Sequence, residues 1–235
     1  MKLSEAARKN SVYVSVSVTE RDGGSLYLTQ LWFDPSGDLI GKHRKLKQTN
    51  AERYIWGEGD GSTMPVFETE LGRLGGLQCW KHMIPFNIAA MNAQNEQVHV
   101  ASWPAFFADE TSLLSQVPNE TASKYYAIAT QTYTLMTSQL HTAGMIDYIC
   151  EDDEYKRQIF NRVGGGCTKI FAPNGQVISE EIPHGEEGIA CATIDLENIV
   201  YSKYLLDPAV HYSSPHVVSL NFNQKVQPTT HFTTK

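Results

Sequence analysis

The sequence has no long run of apolar residues and no cluster of basic residues. No window approaches about 18 uninterrupted apolar residues, and the N-terminus lacks the apolar core of a signal peptide, so we expect no contact with a membrane. Nineteen Lys and Arg stand against 26 Asp and Glu, which gives a formal net charge of −7. Nucleic acids are bound through clustered cations that neutralise phosphates, and we therefore expect no nucleic-acid partner.

Cysteine is scarce, and its spacing shows no metal-binding pattern. There is no CxxC pair and no histidine at zinc-binding spacing from the four cysteines, which are Cys79, Cys150, Cys167 and Cys191. Widely spaced thiols of this kind are typical of reduced cysteines and favour a cytoplasmic protein. GxGxxG, GxSxG and Walker A motifs are also absent, so we expect no cofactor and no metal.

Hydrophobic periodicity predicts a β-meander followed by α/β units, in a chain long enough for one large domain or two small ones. The predicted strands of this part are residues 11–18, 25–33, 39–46, 73–78 and 98–103. Glycine and proline between the first three strands predict tight turns. Pro85 favours the start of a helix that ends near residue 96, between the last two strands.

The second half of the chain gives a mixed pattern. Its predicted elements are a helix at residues 119–140, a strand at 143–149, a hairpin of 168–172 and 176–180, a strand at 188–194 and a helix at 196–206. Asp195 precedes the last helix as a plausible N-cap. The tail, residues 208–235, is rich in Ser, Thr, His and Pro and lacks a periodic core, so we expect it to wrap a partner or to lie disordered.

Cys79 is the first candidate for chemistry. It follows the predicted strand at 73–78 and precedes a helix, whose N-terminal field favours a thiolate. The glycine pair Gly75-Gly76 in that strand allows a backbone or a ligand to come close. The alternative interpretation, from placement alone, is a buried structural cysteine. Lys45 is the second candidate, and its alternative is a solvent-facing cation in the basic run of residues 42–47.

Three segments in a fixed order carry a resemblance to a known family. They read GKHRKLKQT at residues 41–49, GGLQCW at 75–80 and MNAQNEQVHVASWP at 91–104, and a fourth, YLLDPAVHYS, follows at 204–213. Together they resemble the nitrilase branch of the carbon–nitrogen hydrolase superfamily, over nearly the whole chain. This ordered set outweighs both alternatives for Cys79 and Lys45.

The resemblance implies an α/β fold, the nitrilase-type α-β-β-α sandwich, with residues 1–206 as a partial domain. Residues 207–235 would then be a tail that contacts another subunit or is disordered. It implies a catalytic set in which Cys79 attacks the nitrile carbon and Lys45 stabilises charge on the substrate nitrogen. Glu52 matches a glutamate that helps to hold the lysine and the waters.

The resemblance also suggests substrate-binding residues. Trp56, Trp80 and Trp103 would wall a pocket for an apolar or aromatic nitrile, and His82 is grouped with them as a substrate-binding residue. The backbone N–H of Trp80 is a candidate oxyanion donor. For each tryptophan, plain core packing remains the alternative.

The sequence departs from the family pattern in two places. The family's general-base glutamate lies farther upstream of the lysine than this sequence extends, and neither Glu5 nor Glu20 has the expected Phe-Pro-Glu context. We therefore expect an N-terminally incomplete domain, and loss of a positioned base costs on the order of 10²–10⁴ in rate. The second departure is Lys81, where the family usually carries a glutamate; this charge reversal favours a thiolate but could break an ionic contact.

Three functions follow from this resemblance. The first is hydrolysis of a nitrile to a carboxylic acid and ammonia through a cysteine thioimidate and thioester. The alternatives are a non-catalytic component of an oligomer and a nitrile-hydrating enzyme that stops at the amide. Nitrilases associate through extended interfaces, so the resemblance also implies a homo-oligomer.

Overall fold

The computed structural model of the protein describes residues 2–106, 112–160, 164–183 and 185–228. The chain divides into two compact units, which are treated one at a time. Unit 1 comprises Met1–Phe67 and Ser214–Lys235, and unit 2 comprises Glu68–Ser213. None of the described helices is both long enough and apolar enough to cross a membrane.

Unit 1 contains the predicted β-meander. Helix α1 (Lys2–Asn10) precedes the strands β1 (Val14–Asp22), β2 (Ser25–Phe33) and β3 (Leu39–Arg44), which form an antiparallel sheet in the order β1-β2-β3. Alternating β-branched residues favour the first strand, and the glycine turn after Asp22 brings the second strand back beside it. The three predicted strands are confirmed, and helix α1 is an element that the periodicity did not predict.

The described part of the tail contacts the loop after β3, inside unit 1. The backbone N–H of Gln227 donates to Asp60 Oδ2 at 2.7 Å. A Cβ on Gly61 would lie 1.9 Å from the carbonyl oxygen of Asn223, so the two backbones are in close contact. Glycine is thus required for this approach. That the tail also contacts another subunit stays a prediction.

Unit 2 is built on a five-stranded sheet in chain order. Its strands are β4 (Phe67–Thr69), β5 (Gly72–Gln78), β6 (Val98–Trp103), β7 (Tyr133–Ser138) and β8 (Lys169–Phe171). Strands β5, β6 and β7 are parallel, and β8 is antiparallel to β7. Parallel neighbours need crossover connections, which here contain helix α2 (Pro85–Asn92) and helix α3 (Gln116–Thr130).

The helix predicted at residues 119–140 is confirmed only as far as Thr130, and the strand predicted at 143–149 is wrong. Helix α3 ends at Thr130, where Gln131 takes the left-handed conformation (φ +56°), and the chain then enters β7 at Tyr133. Pairing with both neighbours in the sheet decides this segment, because periodicity alone does not separate a short buried strand from a helix. The predicted strand at 143–149 is helix α4 (Ala143–Cys150), which Thr142 Oγ1 caps by accepting from the N–H of Met145 at 3.2 Å.

The remaining elements agree with the sequence in part. Helix α5 (Glu154–Ile159) is another element that the periodicity did not predict, and residues 188–194, predicted as a strand, form no strand in the described structure. Helix α6 (Glu197–Leu205) confirms the last predicted helix, but its N-cap is Leu196 rather than the predicted Asp195, whose Oδ1 accepts from the N–H of Glu197 at 3.0 Å. Of the predicted hairpin, β8 and a bridge between Phe171 and Val177 are present.

The core of unit 2 lies between its sheet and helix α3. Its buried cluster consists of Ala101, Trp103, Phe106, Ala122, Ala127, Met136, Cys167 and Phe171. Cys79, Trp80 and Met83 are half-buried and pack against this cluster. The segment that follows β5 is therefore fixed on a rigid apolar base, which is a favourable place for a reactive side chain.

Candidate active site

Cys79 stands at the carboxyl end of a parallel strand. Strand β5 ends at Gln78, and Cys79 opens a short 3-10 helix, Cys79–Met83, which precedes the predicted helix that begins at Pro85. Its φ is +52°, which places a non-glycine residue in the left-handed region. This conformation costs roughly 1–2 kcal/mol for an L-residue and persists only where the surroundings impose it. Ligands of parallel sheets bind beyond such strand ends.

The two tryptophans of unit 2 have their indole N–H groups bonded inside the protein. Trp80 is half-buried, and its Nε1 donates to Asn119 Oδ1 at 2.8 Å. Trp103 is 4% exposed, and its Nε1 donates to Ser123 Oγ at 2.9 Å. Trp103 therefore forms part of the core, and its ring stacks on His82 with the centroids 5.0 Å apart.

A buried chain of polar side chains leads away from the main chain of Cys79. His82 Nδ1 lies 2.6 Å from the carbonyl oxygen of Cys79, and His82 Nε2 lies 2.9 Å from His99 Nε2. His99 Nδ1 lies 2.8 Å from Glu96 Oε1, and the hydroxyl of Tyr126 donates to Glu96 Oε2. Of the four side chains in this chain, His82 alone was given a role from the sequence. A histidine between two valines at a buried position of strand β6 was the available signal for His99.

Burial sets the protonation of this chain. Glu96 and His99 are fully buried, and burial raises the pKa of the Glu96 carboxyl to about 8. Burial also lowers the pKa of His99 well below its ordinary value and raises the pKa of Tyr126 well above its own. All three side chains are therefore neutral near pH 7.

Gly75 makes room for the Glu96 carboxyl. Gly75 pairs with His99 between strands β5 and β6, and a Cβ on it would lie 2.2 Å from Glu96 Oε1 and 2.9 Å from Met91 Cε. The sequence predicted that the glycine pair admits a backbone or a ligand. At Gly75 the approaching group is instead a side-chain carboxyl of the same unit.

Lys45 and Glu52 form an ion pair in unit 1. Lys45 is 2% exposed, although it lies in a basic run, and its Nζ donates to Glu52 Oε2 at 2.6 Å. The same carboxylate accepts from the backbone N–H of Thr49 at 2.6 Å, so a capping box fixes Glu52 at the start of the turn Asn50–Tyr54. The structure thus brings together the lysine and the glutamate that the sequence analysis proposed as partners.

Trp56 follows that turn in the same unit. It is half-buried, and its Nε1 donates to Thr19 Oγ1 on strand β1 at 3.3 Å. Its backbone N–H donates to the carbonyl oxygen of Glu52 at 3.0 Å. Unit 1 therefore carries Lys45, Glu52 and Trp56, and unit 2 carries the predicted residues Cys79, Trp80, His82 and Trp103. Their catalytic and substrate-binding roles stay predictions.

Comparisons with known proteins identify the family. The model of the carbon–nitrogen hydrolase family matches residues 1–204, and the chain belongs to that family. It is 59% identical to a nitrilase of Bacillus sp. (strain OxB-1), over 95% of this chain and 65% of that protein. It is 42% identical to an aliphatic nitrilase of Rhodococcus rhodochrous, over 95% of this chain and 61% of that protein. The predicted resemblance to nitrilases is confirmed, and the chain spans less than two thirds of the length of either relative.

The solved structures support the fold assignment. A carbon–nitrogen hydrolase from Helicobacter pylori G27 superposes with a TM-score of 0.73 at 21% identity. That likeness covers 88% of this chain and 69% of the other. The predicted fold class, the α/β fold of the carbon–nitrogen hydrolases, is therefore confirmed.

Proposed function

We propose that the protein acts as a nitrilase, which converts a nitrile and two waters to a carboxylic acid and ammonia with Cys79 as the nucleophile. The observation that carries the choice of nucleophile is the position of Cys79. It stands at the end of parallel strand β5, in a left-handed conformation, on the rigid core of unit 2. The nitrilases named above support the substrate class.

The proposed chemistry is covalent. Cys79 Sγ forms a bond to the nitrile carbon, and the thiol proton is transferred to the nitrogen, which gives a thioimidate. One water adds to that carbon, and the carbon–nitrogen bond breaks with release of ammonia, which leaves a thioester. A second water adds, the carbon–sulfur bond breaks, and the acid leaves as the thiol is restored.

The roles proposed for Lys45 and Glu52 rest on their ion pair. A lysine that is 2% exposed and paired with a carboxylate keeps a positive charge in a fixed place. Such an ammonium group would stabilise negative charge that develops on the substrate nitrogen. Glu52, which is itself held by Thr49, would keep the lysine in position. The Trp80 backbone N–H is proposed as the oxyanion donor.

We further propose an apolar or aromatic nitrile as the substrate. The half-buried rings of Trp56 and Trp80 are suited to apolar contacts, and their N–H groups already have protein partners. Association of several copies of the chain also stays a prediction.

The test is product analysis with the purified 235-residue chain. Phenylacetonitrile and a short aliphatic nitrile are supplied, and ammonia, amide and carboxylic acid are measured together. We expect ammonia and acid in equal amounts, lost in Cys79→Ala and retained in Cys191→Ala, since Cys191 is an exposed thiol. Amide without ammonia would assign nitrile hydration instead. No turnover by a folded chain would identify a non-catalytic member of the family.

A further inference from the structure

The hydrogen bonds behind Cys79 can be assigned a single direction. The carbonyl oxygen of Cys79 only accepts, so His82 Nδ1 must donate to it, and in the neutral imidazole that we assign to His82, Nε2 is then an acceptor. His99 Nε2 must therefore donate to His82, which leaves His99 Nδ1 as an acceptor. That atom takes its hydrogen bond from Glu96 Oε1.

The remaining end of the chain fits the same direction. Glu96 can donate to His99 only in its protonated form, and burial raises the pKa of this carboxyl to about 8. Its other oxygen accepts from the hydroxyl of Tyr126. Each donor in the chain Tyr126–Glu96–His99–His82 thus has an acceptor, and the last acceptor is the main chain of Cys79.

The rings of the chain are held by stacking as well. His82 lies over Trp103 with centroids 5.0 Å apart and an interplanar angle of 28°. His99 lies over Tyr126 with centroids 3.7 Å apart and an interplanar angle of 27°. His82 is 1% exposed and His99 is fully buried, so neither imidazole is free to rotate toward solvent.

We propose that His82 is a positioning residue for Cys79, oriented by the buried chain of His99, Glu96 and Tyr126, and that it holds the nucleophile in its strained conformation. The proposal rests on the proposed function in taking Cys79 as the nucleophile. The physical reason is the φ of +52° at Cys79, which needs a restraint from its surroundings. A hydrogen bond to the carbonyl of that residue is such a restraint. With both ring nitrogens engaged inside the protein, this role takes the place of the substrate-binding role that the sequence suggested for His82.

The test measures the reactivity of Cys79 itself, in a matched pair of variants of the full chain. Asn and Leu have nearly the same shape, but only Asn carries an N–H where His82 has Nδ1. The rate of alkylation by iodoacetamide is followed at each cysteine by mass spectrometry of its peptide. We expect Cys79 in His82→Asn to react near the wild-type rate. In His82→Leu it should react about tenfold more slowly, the effect of one lost hydrogen bond.

Two other cysteines report on folding in the same experiment. Cys150 is fully buried and Cys167 is 5% exposed, so both should stay unlabelled while unit 2 is folded. A His82→Leu protein whose buried cysteines stay protected, and whose Cys79 reacts at or above the wild-type rate, would overturn the proposal. A slower Cys79 beside protected Cys150 and Cys167 supports it, because general loosening would expose those thiols.

A second pair decides the matter if His82→Leu unfolds and labels every cysteine. His99→Gln keeps an N–H in the place of Nε2, and His99→Met has a similar shape without it. We expect Cys79 to react more slowly in His99→Met than in His99→Gln, and equal rates would overturn the proposal. Glu96→Gln, which can donate to His99 and accept from Tyr126, should leave the rate unchanged; a slower rate in a folded protein would refute the assigned direction of the chain.

These outcomes are separate from those of the proposed function. Alkylation needs no nitrile, so the variants can show the expected pattern even if the wild type releases no ammonia. The positioning role would then stand, and the proposed function would fail. If ammonia is released, His82→Leu should lower kcat and leave KM nearly unchanged, and His82→Asn should restore kcat. A change confined to KM would favour substrate binding by His82 and overturn the positioning role.

Discussion

The Glu96 carboxyl lies in the space that the side chain of any residue other than glycine would take at position 75. A Cβ on Gly75 would meet Glu96 Oε1 at 2.2 Å, well inside any real contact distance. The missing side chain of Gly75 on strand β5 therefore leaves the space that the carboxyl of Glu96 occupies. The chain of hydrogen bonds behind Cys79 depends on that space.

Gly75→Ala should lower the free energy of unfolding by about 2 kcal/mol, since overpacking a filled core forces buried groups to move. Urea denaturation followed by tryptophan fluorescence measures this loss. Gly144→Ala is the control, because Gly144 lies in helix α4 with no atom within 4 Å of its added Cβ. That variant should gain roughly 0.5–1 kcal/mol. A Gly75→Ala protein as stable as the wild type would show that the carboxyl is not packed there.

Glu96 should make stability fall as the pH rises. Burial raises the pKa of its carboxyl from the ordinary value of 4.5 to about 8, so between these values the unfolded chain loses the proton while the folded protein keeps it. The unfolding free energy of the wild type should therefore fall relative to that of Glu96→Gln from pH 5 to pH 8. Chemical denaturation at several pH values measures it. A difference independent of pH would show that the carboxyl is ionised in the folded protein.

Breaking the Lys45–Glu52 pair should be costly. Glu52→Gln keeps the capping bond to Thr49, but it leaves the ammonium of Lys45, which is 2% exposed, without its counter-charge. We expect the free energy of unfolding to fall by about 1–3 kcal/mol. The rate of ammonia release should fall with it.

A matched control for that variant is Glu58→Gln. Glu58 pairs with Lys47, and the two side chains are 54% and 60% exposed. An exposed pair contributes little, so this change should stay within about 0.5 kcal/mol of the wild type. If the two variants lose the same free energy of unfolding, burial of Lys45 does not strengthen its ion pair with Glu52.

Glu20 should stabilise unit 1 at neutral pH and lose this effect in acid. Its carboxylate accepts hydrogen bonds from Arg44 at 2.9 and 2.7 Å and also from Lys42 and Thr29. These bonds, and the one from Arg44 most of all, lower the pKa of Glu20 to about 2. A lowered pKa stabilises the fold above the unfolded value near 4.5, and this stabilisation is lost as the pH falls toward 2. The advantage of the wild type over Glu20→Gln should thus shrink between pH 4.5 and pH 2. An advantage that stays constant over this range would contradict the prediction.

The fold was predictable where local signals were unambiguous. The meander follows from alternation and glycine turns, and Pro85 marks the start of helix α2 between the short predicted strands β5 and β6. Residues 119–149 were not predictable in the same way. Their apolar residues fit the period of a helix and the period of a strand equally well. The strands that pair with β7, which are β6 and β8, lie far away along the chain.

The candidate site divides along the same line. Cys79, Lys45 and Glu52 carry local motifs, so the sequence was enough to single them out. Glu96 and His99 lie in the family segment at residues 91–104 but were given no role there, and with Tyr126 they become partners only through the pairing of β5 with β6 and the packing of helix α3.

The sequence by itself determined the family, the thiol on which the proposed chemistry depends and the glycine pair Gly75-Gly76 in the strand before it. Only the tertiary structure decided that Lys45 is buried against Glu52 and that the space beside Gly75 holds a neutral carboxyl. The physical reason is that burial and donor direction depend on atoms brought together from distant parts of the chain. A local motif gives the kind of side chain, and the packed surroundings give its charge and its partners.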